Sequence, residues 1–237
     1  MSLELTYYFE HPEKFPIQGF LDGLTSPHEI LVRAKAYLKD TLTAPGVREN
    51  RGELKSEDVH FYGNYSIGEG TVIYNGVTII GPVYIGKNCE IMPGATLRPN
   101  TIIGDGCNVG HGSELKHAVL YNGAKVASLA FVGDSVLGAS ARIGSGVITA
   151  NRKFNQTNVT FRHKGGRRDL GDSYFGLILG DSSRLGANSV SQPGTHIGPH
   201  TWIFPMTSVR GFIPRETRVY NKTELAMEKN EIIELKP

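Results

Sequence analysis

Two basic residues, Arg98 and Lys116, have types and a spacing that could hold an anion. They stand eighteen residues apart, and each directly follows an aliphatic residue. If the chain winds with a period that divides eighteen, both side chains leave the same face of neighbouring turns, about 5 Å apart. Two cations that close repel by about 1 kcal/mol in water, so either they spread into solvent or an anion bridges them. Pro99 stiffens the turn after Arg98 and favours the second reading, with phosphate or carboxylate as the ligand.

A six-residue repeat supplies the elements that would position this pair. Isoleucine, leucine or valine recurs every six residues from Ile67 to Leu115, nine times without a miss. Neither an α-helix nor a simple strand has this period. A hexapeptide repeat is typical of a β-helix, in which three hexapeptides make one triangular coil. The sequence therefore predicts a mainly β chain folded as a parallel β-helix, with eighteen residues to a coil.

The repeat divides the chain into three expected parts. Residues 61–213 are predicted to form the β-helix, interrupted by a non-repeating loop over 151–174. Residues 1–60 are expected to form an N-terminal helical cap and linker, and residues 214–237 a C-terminal helical tail. A long loop inside a regular array is often functional.

The two terminal helices are predicted from local signals. Ser26-Pro27-His28-Glu29 has the residues of a helix start, with serine as N-cap and glutamate three positions later. Three phenylalanines before it are expected to seat the segment on the open end of the prism, whose bare strand edges need cover. Residues 223–235 are predicted to form the second helix.

Composition excludes several classes of protein. The net charge of +2 implies no general nucleic-acid or membrane partner. No apolar stretch is long enough to span a membrane, and the start of the chain does not resemble a signal peptide. Cys89 and Cys107 are one coil apart and are expected to be small buried residues rather than a disulfide or metal pair. We therefore expect a cytoplasmic protein.

Neither the histidines nor the loop gives a decisive site. His111 and His117 fall on different faces of one coil, His196 and His200 bracket a turn, and no metal is expected. The loop carries a basic cluster over residues 162–168. It either folds over a phosphorylated ligand or is an exposed segment kept in solution by its charge, and composition favours the second.

Four blocks in this order resemble the left-handed β-helix domain of bifunctional sugar-1-phosphate nucleotidylyltransferase/glucosamine-1-phosphate acetyltransferases. The blocks are Leu97-Arg-Pro-Asn-Thr101, Val109-Gly-His-Gly-Ser-Glu-Leu-Lys116, Phe131-Val-Gly-Asp134 and Ile143-Gly-Ser-Gly-Val-Ile-Thr-Ala-Asn151. The resemblance covers about residues 7–215. It implies a homotrimer with sites between neighbouring prisms, a sugar phosphate as acceptor, and acetyl-CoA or another acyl-CoA as co-substrate.

The resemblance also implies roles for single residues. Arg98 and Lys116 match the residues that contact the sugar phosphate, in agreement with the anion inferred above, and Asn151 matches an asparagine on the sugar side. Three further residues fall where the family's main chain meets acetyl-CoA: Ser145, Ala187 and Pro205.

The chain departs from the family at three site positions. Ser128 stands where the family has its general-base histidine, Phe131 where it has a tyrosine, and Arg142 where it has an asparagine. Acylation of an amine needs a group that takes the proton as nitrogen attacks, which imidazole does well and a lone serine does not. His111, His117 or a residue of a neighbouring subunit could replace the base.

Three hypotheses follow from these departures. The chain is an acyl-CoA-dependent acyltransferase with a substitute base, or a sugar-phosphate or nucleotide-sugar binding module that has lost its chemistry. In the second case it could partner a separate sugar-1-phosphate nucleotidylyltransferase, because the Gly-rich nucleotide loop of that domain is absent from this sequence. A scaffold without a ligand is the third, which the Arg98 and Lys116 pair argues against.

Overall fold

Short parallel strands wind into a triangular prism. The computed structural model describes residues 4–42, 47–163 and 166–222. Within these ranges each coil adds one strand to each of three flat parallel sheets, which we number 1 to 3 in the order in which a coil meets them. The predicted mainly β fold, a parallel β-helix, is confirmed.

The strand bounds show how regular the prism is. Sheet 1 contains Arg48–Asn50, Tyr65–Ile67, Val83–Ile85, Thr101–Ile103, Val119–Leu120, Val136–Leu137, Leu177–Leu179, Thr195–Ile197 and Phe212–Ile213. Sheet 2 contains Glu53–Leu54, Val72–Ile73, Glu90–Ile91, Asn108–Val109, Lys125–Val126, Arg142–Ile143, Arg184–Leu185, Trp202–Ile203 and Arg218–Val219. Sheet 3 contains His60–Tyr62, Thr78–Ile80, Thr96–Leu97, Glu114–Lys116, Phe131–Gly133, Ile148–Thr149, Val190–Ser191 and Ser208–Val209.

The repeating aliphatic residue points into the prism and fixes the register. Leu97 pairs with Leu115 and Leu115 with Val132, so a coil has eighteen or seventeen residues. The shorter coils contain the five-residue steps of the sequence and keep the aliphatic residues stacked. Ile67, Ile79 and their equivalents are fully buried in a continuous core. Burying one such side chain contributes about 1.5–3 kcal/mol, which makes the column the main source of stability.

The interruption after residue 150 leaves the prism and returns to it. It contains an antiparallel hairpin of Thr160–His163 and Gly166–Asp169, where a loop without strands was expected. An isolated bridge between Arg152 and Tyr174 closes its base. The coils continue across the insertion, because the strand at Val136–Leu137 pairs directly with Leu177–Leu179.

The N-terminal segment covers a face of the prism, and the prediction that it seats on the open end is wrong. It consists of helix α1 at Leu5–Tyr8, a 3₁₀ turn at Pro12–Lys14 and helix α2 at Glu29–Leu42. These pack on the outer side of sheet 1, where the residue before each inward aliphatic is itself apolar: Ile102, Val119, Val136 and Ile178. An apolar stripe of this kind needs cover, and the sequence shows it as consecutive aliphatic pairs.

The observed strands run past both boundaries expected for the β-helix. The first begins at Arg48 and the last ends at Val219, whereas 61 and 213 were expected. The early strands were missed because Arg48–Asn50 is exposed and lacks an inward aliphatic residue. The helix predicted over 223–235 lies outside the described residues. In the ranges that the structure describes, no helix is long and apolar enough to cross a membrane.

Candidate active site

The candidate residues of the sequence separate onto two edges of the prism. The covered edge is the turn between sheets 3 and 1, with His117, Asp134 and Asn151 at equivalent positions of successive coils. The open edge is the turn between sheets 2 and 3. Its equivalent positions, each two residues after an inward aliphatic residue of sheet 2, are Pro93, His111, Ser128, Ser145, Ala187 and Pro205.

On the covered edge, a buried carboxylate collects three donors. Asp134 is 5% exposed, and its Oδ2 accepts hydrogen bonds from Lys116 Nζ at 3.1 Å and Asn151 Nδ2 at 2.6 Å. His117 Nδ1 lies 3.0 Å from the other oxygen. Burial raises the pKa of Asp134, but the hydrogen bond from His117, the charge of Lys116 and the hydrogen bond from Asn151 outweigh it, so the pKa is lowered. The carboxylate is therefore a fixed anion.

The insertion closes over this cluster. The Lys116 ammonium lies 4.2 Å from the centre of the Tyr174 ring, and Arg152 approaches the same ring at 5.0 Å. Cation–π contacts of this kind hold the base of the insertion against the prism. Lys116 is thus engaged by a carboxylate and an aromatic ring before any ligand arrives.

Arg98 also has a carboxylate partner. Its Nη1 lies 2.7 Å from Glu114 Oε1, and both side chains are about two-fifths exposed. The predicted register of Arg98 and Lys116 is confirmed, because Leu97 pairs with Leu115. The electrostatic argument was incomplete, however, since Glu114 and Asp134 already neutralise the two cations. Phe131 lies beside Glu114 on the outer face of sheet 3.

On the open edge, backbone hydrogen bonds link the turns of successive coils. The amide of Leu129 donates to the carbonyl of His111, that of Gly146 to Ser128, and that of Asn188 to Ser145. The turn brings backbones so close that a Cβ at Gly110 would lie 2.5 Å from the carbonyl carbon of Ala127. The result is a straight row of turn residues along the prism.

His111 is the histidine whose geometry suits a general base. Its Nδ1–H donates to the carbonyl of Pro93 at 2.7 Å, so the proton of the neutral ring stays on Nδ1. Nε2 then carries the free lone pair, with no hydrogen-bond partner among the described residues. Both nitrogens of His117 lie within hydrogen-bond distance of protein acceptors, Asp134 and the Leu31 carbonyl, so neither nitrogen is free to meet a substrate.

A recess of about 360 Å³ opens beside His111. It is also lined by Ser128, Arg142 and Ser145. The recess therefore brings together the candidate base His111, the family's base position Ser128, the substrate-side Arg142 and the cofactor-side Ser145. Lys125 lines it too and was not predicted. The signal was available, because Lys125 and Arg142 are one coil apart and pair in register on sheet 2.

Two other expectations concern metals and the basic loop. Among the residues that the structure describes, no group of three or more histidine, cysteine, aspartate or glutamate side chains is placed to hold a metal ion. Arg167 and Arg168 of the basic loop are exposed on the second strand of the hairpin.

Comparison with known proteins gives the family. A model of the GMPPB C-terminal domain matches residues 79–165. The Methanococcus vannielii "Bifunctional protein GlmU" is 32% identical over 117 residues, which is 49% of this chain and 28% of that protein. YaiX of Escherichia coli (strain K12), named "Putative uncharacterized acetyltransferase", is 36% identical over 155 residues, 65% of this chain and 67% of YaiX. The chain belongs to the hexapeptide-repeat acetyltransferase family.

A further relative is also a bifunctional enzyme. The "Bifunctional sugar-1-phosphate nucleotidylyltransferase/acetyltransferase" of Sulfurisphaera tokodaii is 36% identical over 92 residues, 39% of this chain and 23% of that protein. The matched stretch thus spans about a quarter of the length of these bifunctional relatives. The resemblance seen in the sequence is confirmed for the β-helix region.

Proposed function

We propose that this chain transfers an acyl group from acyl-CoA to an anionic sugar, in the sugar-phosphate class, at the open edge of the prism. The observation that carries the proposal is the geometry of His111. Its Nδ1–H is fixed on Pro93, which leaves Nε2 free, and His111 lines a recess that Ser128 and Arg142 also line. A base displaced by one coil from the family position thereby replaces the missing histidine.

The proposed reaction has one proton to move. His111 Nε2 takes a proton from the acceptor amine or hydroxyl as that atom attacks the thioester carbonyl. The carbon–sulfur bond then breaks, and the coenzyme A thiolate leaves and takes the proton from the His111 imidazolium, which restores the neutral base. A general base of this kind contributes about 10²–10⁴-fold to the rate. His117 is ruled out of this role because it offers no free nitrogen.

The two substrates would approach along different surfaces. The acyl donor would lie along the row formed by Ser145, Ala187 and Pro205, with its thioester towards His111. The acceptor's phosphate or carboxylate would face Lys125 and Arg142, which point outward from sheet 2 into the same recess. Charge-assisted hydrogen bonds from two cations suit a phosphate.

A homotrimer would close the open edge. Leu129 and Met206 follow the row residues in the turn and are 65% and 69% exposed, and Ile148 of the adjoining sheet is 47% exposed. Large apolar side chains exposed in one strip favour contact with another protein surface. A second copy of the chain in a cytoplasmic trimer would bury this strip and exclude water from the recess.

Thiol release from acetyl-CoA in the presence of glucosamine 1-phosphate tests the proposal. We expect His111→Gln to lower kcat by about 10²–10⁴ with an unchanged melting temperature. His60→Gln is the matched control, because His60 is 53% exposed on sheet 3 and lies outside the recess. Full activity of the His111 variant would overturn the assignment of the base.

A binding module that has lost its chemistry is the second candidate, and Ser128 at the family's base position favours it. It predicts that glucosamine 1-phosphate raises the melting temperature of the wild-type protein while no thiol is released. Such a protein could partner a separate sugar-1-phosphate nucleotidylyltransferase. Turnover that depends on His111 would exclude this candidate.

A further inference from the structure

A column of basic residues runs up the outer face of sheet 2 beyond the recess. Lys125 pairs with Arg142, and Arg142 with Arg184. Arg184 then pairs with Trp202, and Trp202 with Arg218. Four cations and one tryptophan therefore project from the same face of five successive coils, about 4.8 Å apart.

This column lacks the neutralisation seen on sheet 3. None of its four cations has an ion-pair partner among the described residues. Like charges stacked at strand spacing repel, and nothing in the packing of an exposed face requires them. A ligand that carries several negative charges would remove the repulsion.

Trp202 makes the upper part of the column different from a plain basic surface. Its ring is flanked by the guanidinium carbons of Arg184 at 5.8 Å and Arg218 at 5.3 Å, and the residue is 43% exposed. A recess of about 410 Å³ surrounds the three side chains and is also lined by His200 and Glu216. The Glu216 carboxylate accepts a hydrogen bond from Arg215 Nε at 3.3 Å, which offsets its charge.

We propose that Arg184, Trp202 and Arg218 form a nucleoside-phosphate subsite. On binding, the two guanidinium groups turn from the indole ring to the phosphates, and the ring face so uncovered stacks on the base. Aromatic side chains stack on nucleobases wherever proteins bind them without reading an edge, and arginine is the preferred partner of phosphate. A simple phosphate would not use the tryptophan.

The identity of the nucleotide that this subsite binds rests on the proposed function. Acyl-CoA carries adenosine with 3′- and 5′-phosphates, and a nucleotide-linked sugar acceptor carries a nucleoside diphosphate. The strand of Trp202 lies four coils above that of His111, a separation of about 19 Å. A ligand with its nucleotide at one end and its reacting group at the other would span this distance, as acyl-CoA does.

Trp202 is itself the reporter for the test, because it is the only tryptophan in the chain. The protein is titrated with adenosine 3′,5′-bisphosphate, with UDP and with pyrophosphate while tryptophan fluorescence is recorded. We expect saturable quenching by one nucleotide and none by pyrophosphate at the same concentrations. Quenching by the adenosine compound assigns the subsite to the donor, and quenching by UDP assigns it to a nucleotide-linked acceptor.

Variants separate stacking from charge. Arg184→Gln and Arg218→Gln are each expected to weaken nucleotide binding at least about tenfold, whereas Arg51→Gln, which is paired with Glu49, should bind as wild type. Trp202→Leu, followed by calorimetry, should lose about tenfold or more. Equal binding of pyrophosphate and nucleotide, or unchanged binding by Trp202→Leu, would overturn the subsite.

The failure of this subsite can be told apart from failure of the proposed reaction. His111→Gln should bind the nucleotide like the wild-type protein while losing acyl transfer. If acyl transfer depends on His111 but no nucleotide quenches Trp202, the subsite is wrong and the reaction stands. If the nucleotide binds but no acyl group is transferred, the subsite stands alone.

Discussion

The covered and the open edges of the prism carry similar residues, but those on the covered edge are paired with one another and those on the open edge are not. On the covered edge Lys116, His117 and Asp134 satisfy one another beneath the insertion and helix α2. On the open edge His111 keeps one free nitrogen, and Lys125 and Arg142 face a recess without ion-pair partners in the described part of the chain. The difference is one of partners and cover, since both edges are built from the same repeat.

This comparison shows why residue type and spacing alone assign a site poorly. Arg98 with Lys116, and Lys125 with Arg142, are both cation pairs stacked across one coil. Only the first pair has Glu114 and Asp134 within reach. Buried, fully paired groups favour a structural role, whereas unpaired groups at an accessible recess favour ligand binding.

Removal of the buried carboxylate should have the largest effect on stability. We expect Asp134→Asn to lower the free energy of unfolding by about 3–5 kcal/mol, because Lys116 and His117 would lose their counter-charge inside the protein. Urea unfolding followed by circular dichroism measures the change.

The matched control for that variant is another aspartate beside a histidine. Asp58 lies 3.0 Å from His60, but both side chains are more than half exposed. Asp58→Asn should therefore cost at most about 1 kcal/mol. Equal losses of unfolding free energy for the Asp58 and Asp134 variants would mean that burial does not strengthen the ion pairs of the covered edge.

The covered side should also weaken in mild acid. His196 is fully buried, and its Nε2 lies 2.8 Å from Nε2 of His28, which joins the N-terminal segment to sheet 1. Burial lowers the pKa of His28 to about 4, and burial also lowers the pKa of His196 well below its ordinary value. Between the unfolded value of 6.5 and about 4, the unfolded chain binds protons that the folded chain does not, so stability falls as pH falls.

Urea midpoints between pH 7.5 and pH 4.5 test this, with an expected loss of about 2–3 kcal/mol from His28 and a further loss from His196. His28→Leu combined with His196→Phe should flatten the dependence on pH, since no buried imidazole would remain to be protonated. His60→Gln, at an exposed site, should keep the wild-type profile. A double variant as acid-sensitive as the wild type would contradict the assignment to this pair.

On the open edge, the effect should appear in substrate affinity. We expect Arg142→Ala to raise the KM for a sugar phosphate about tenfold to hundredfold, the value of a charge-assisted hydrogen bond, with little change in melting temperature. Arg98→Ala is the comparison, and a smaller rise is expected because Glu114 competes for its guanidinium. A larger rise in KM for Arg98→Ala than for Arg142→Ala would indicate that the acceptor binds at Arg98.

The sequence predicted the repeating core well and the site only in part. Register and burial follow from the aliphatic period, since each inward position can hold only an apolar residue. The cover of sheet 1 was missed because its outward apolar residues, among them Val119 and Val136, were not recognised as a second stripe. The contact of Lys116 with Tyr174 was missed because that ring reaches Lys116 from the insertion, whose path no repeat dictates. The convergence of Lys116 and Asn151 on the Asp134 carboxylate was missed as well.

The smallest effect expected concerns the stability contributed by Arg98. Its ion pair with Glu114 is short, at 2.7 Å, but both side chains are about 40% exposed. Exposed pairs gain little because water screens them and two long side chains must be ordered, so Arg98→Ala should change the free energy of unfolding by less than about 1 kcal/mol. Urea unfolding in low and high salt measures this. A loss of unfolding free energy close to that of Asp134→Asn would show that the stability of sheet 3 depends on its ion pair as strongly as that of the covered edge does. Arg98 would then have a structural role.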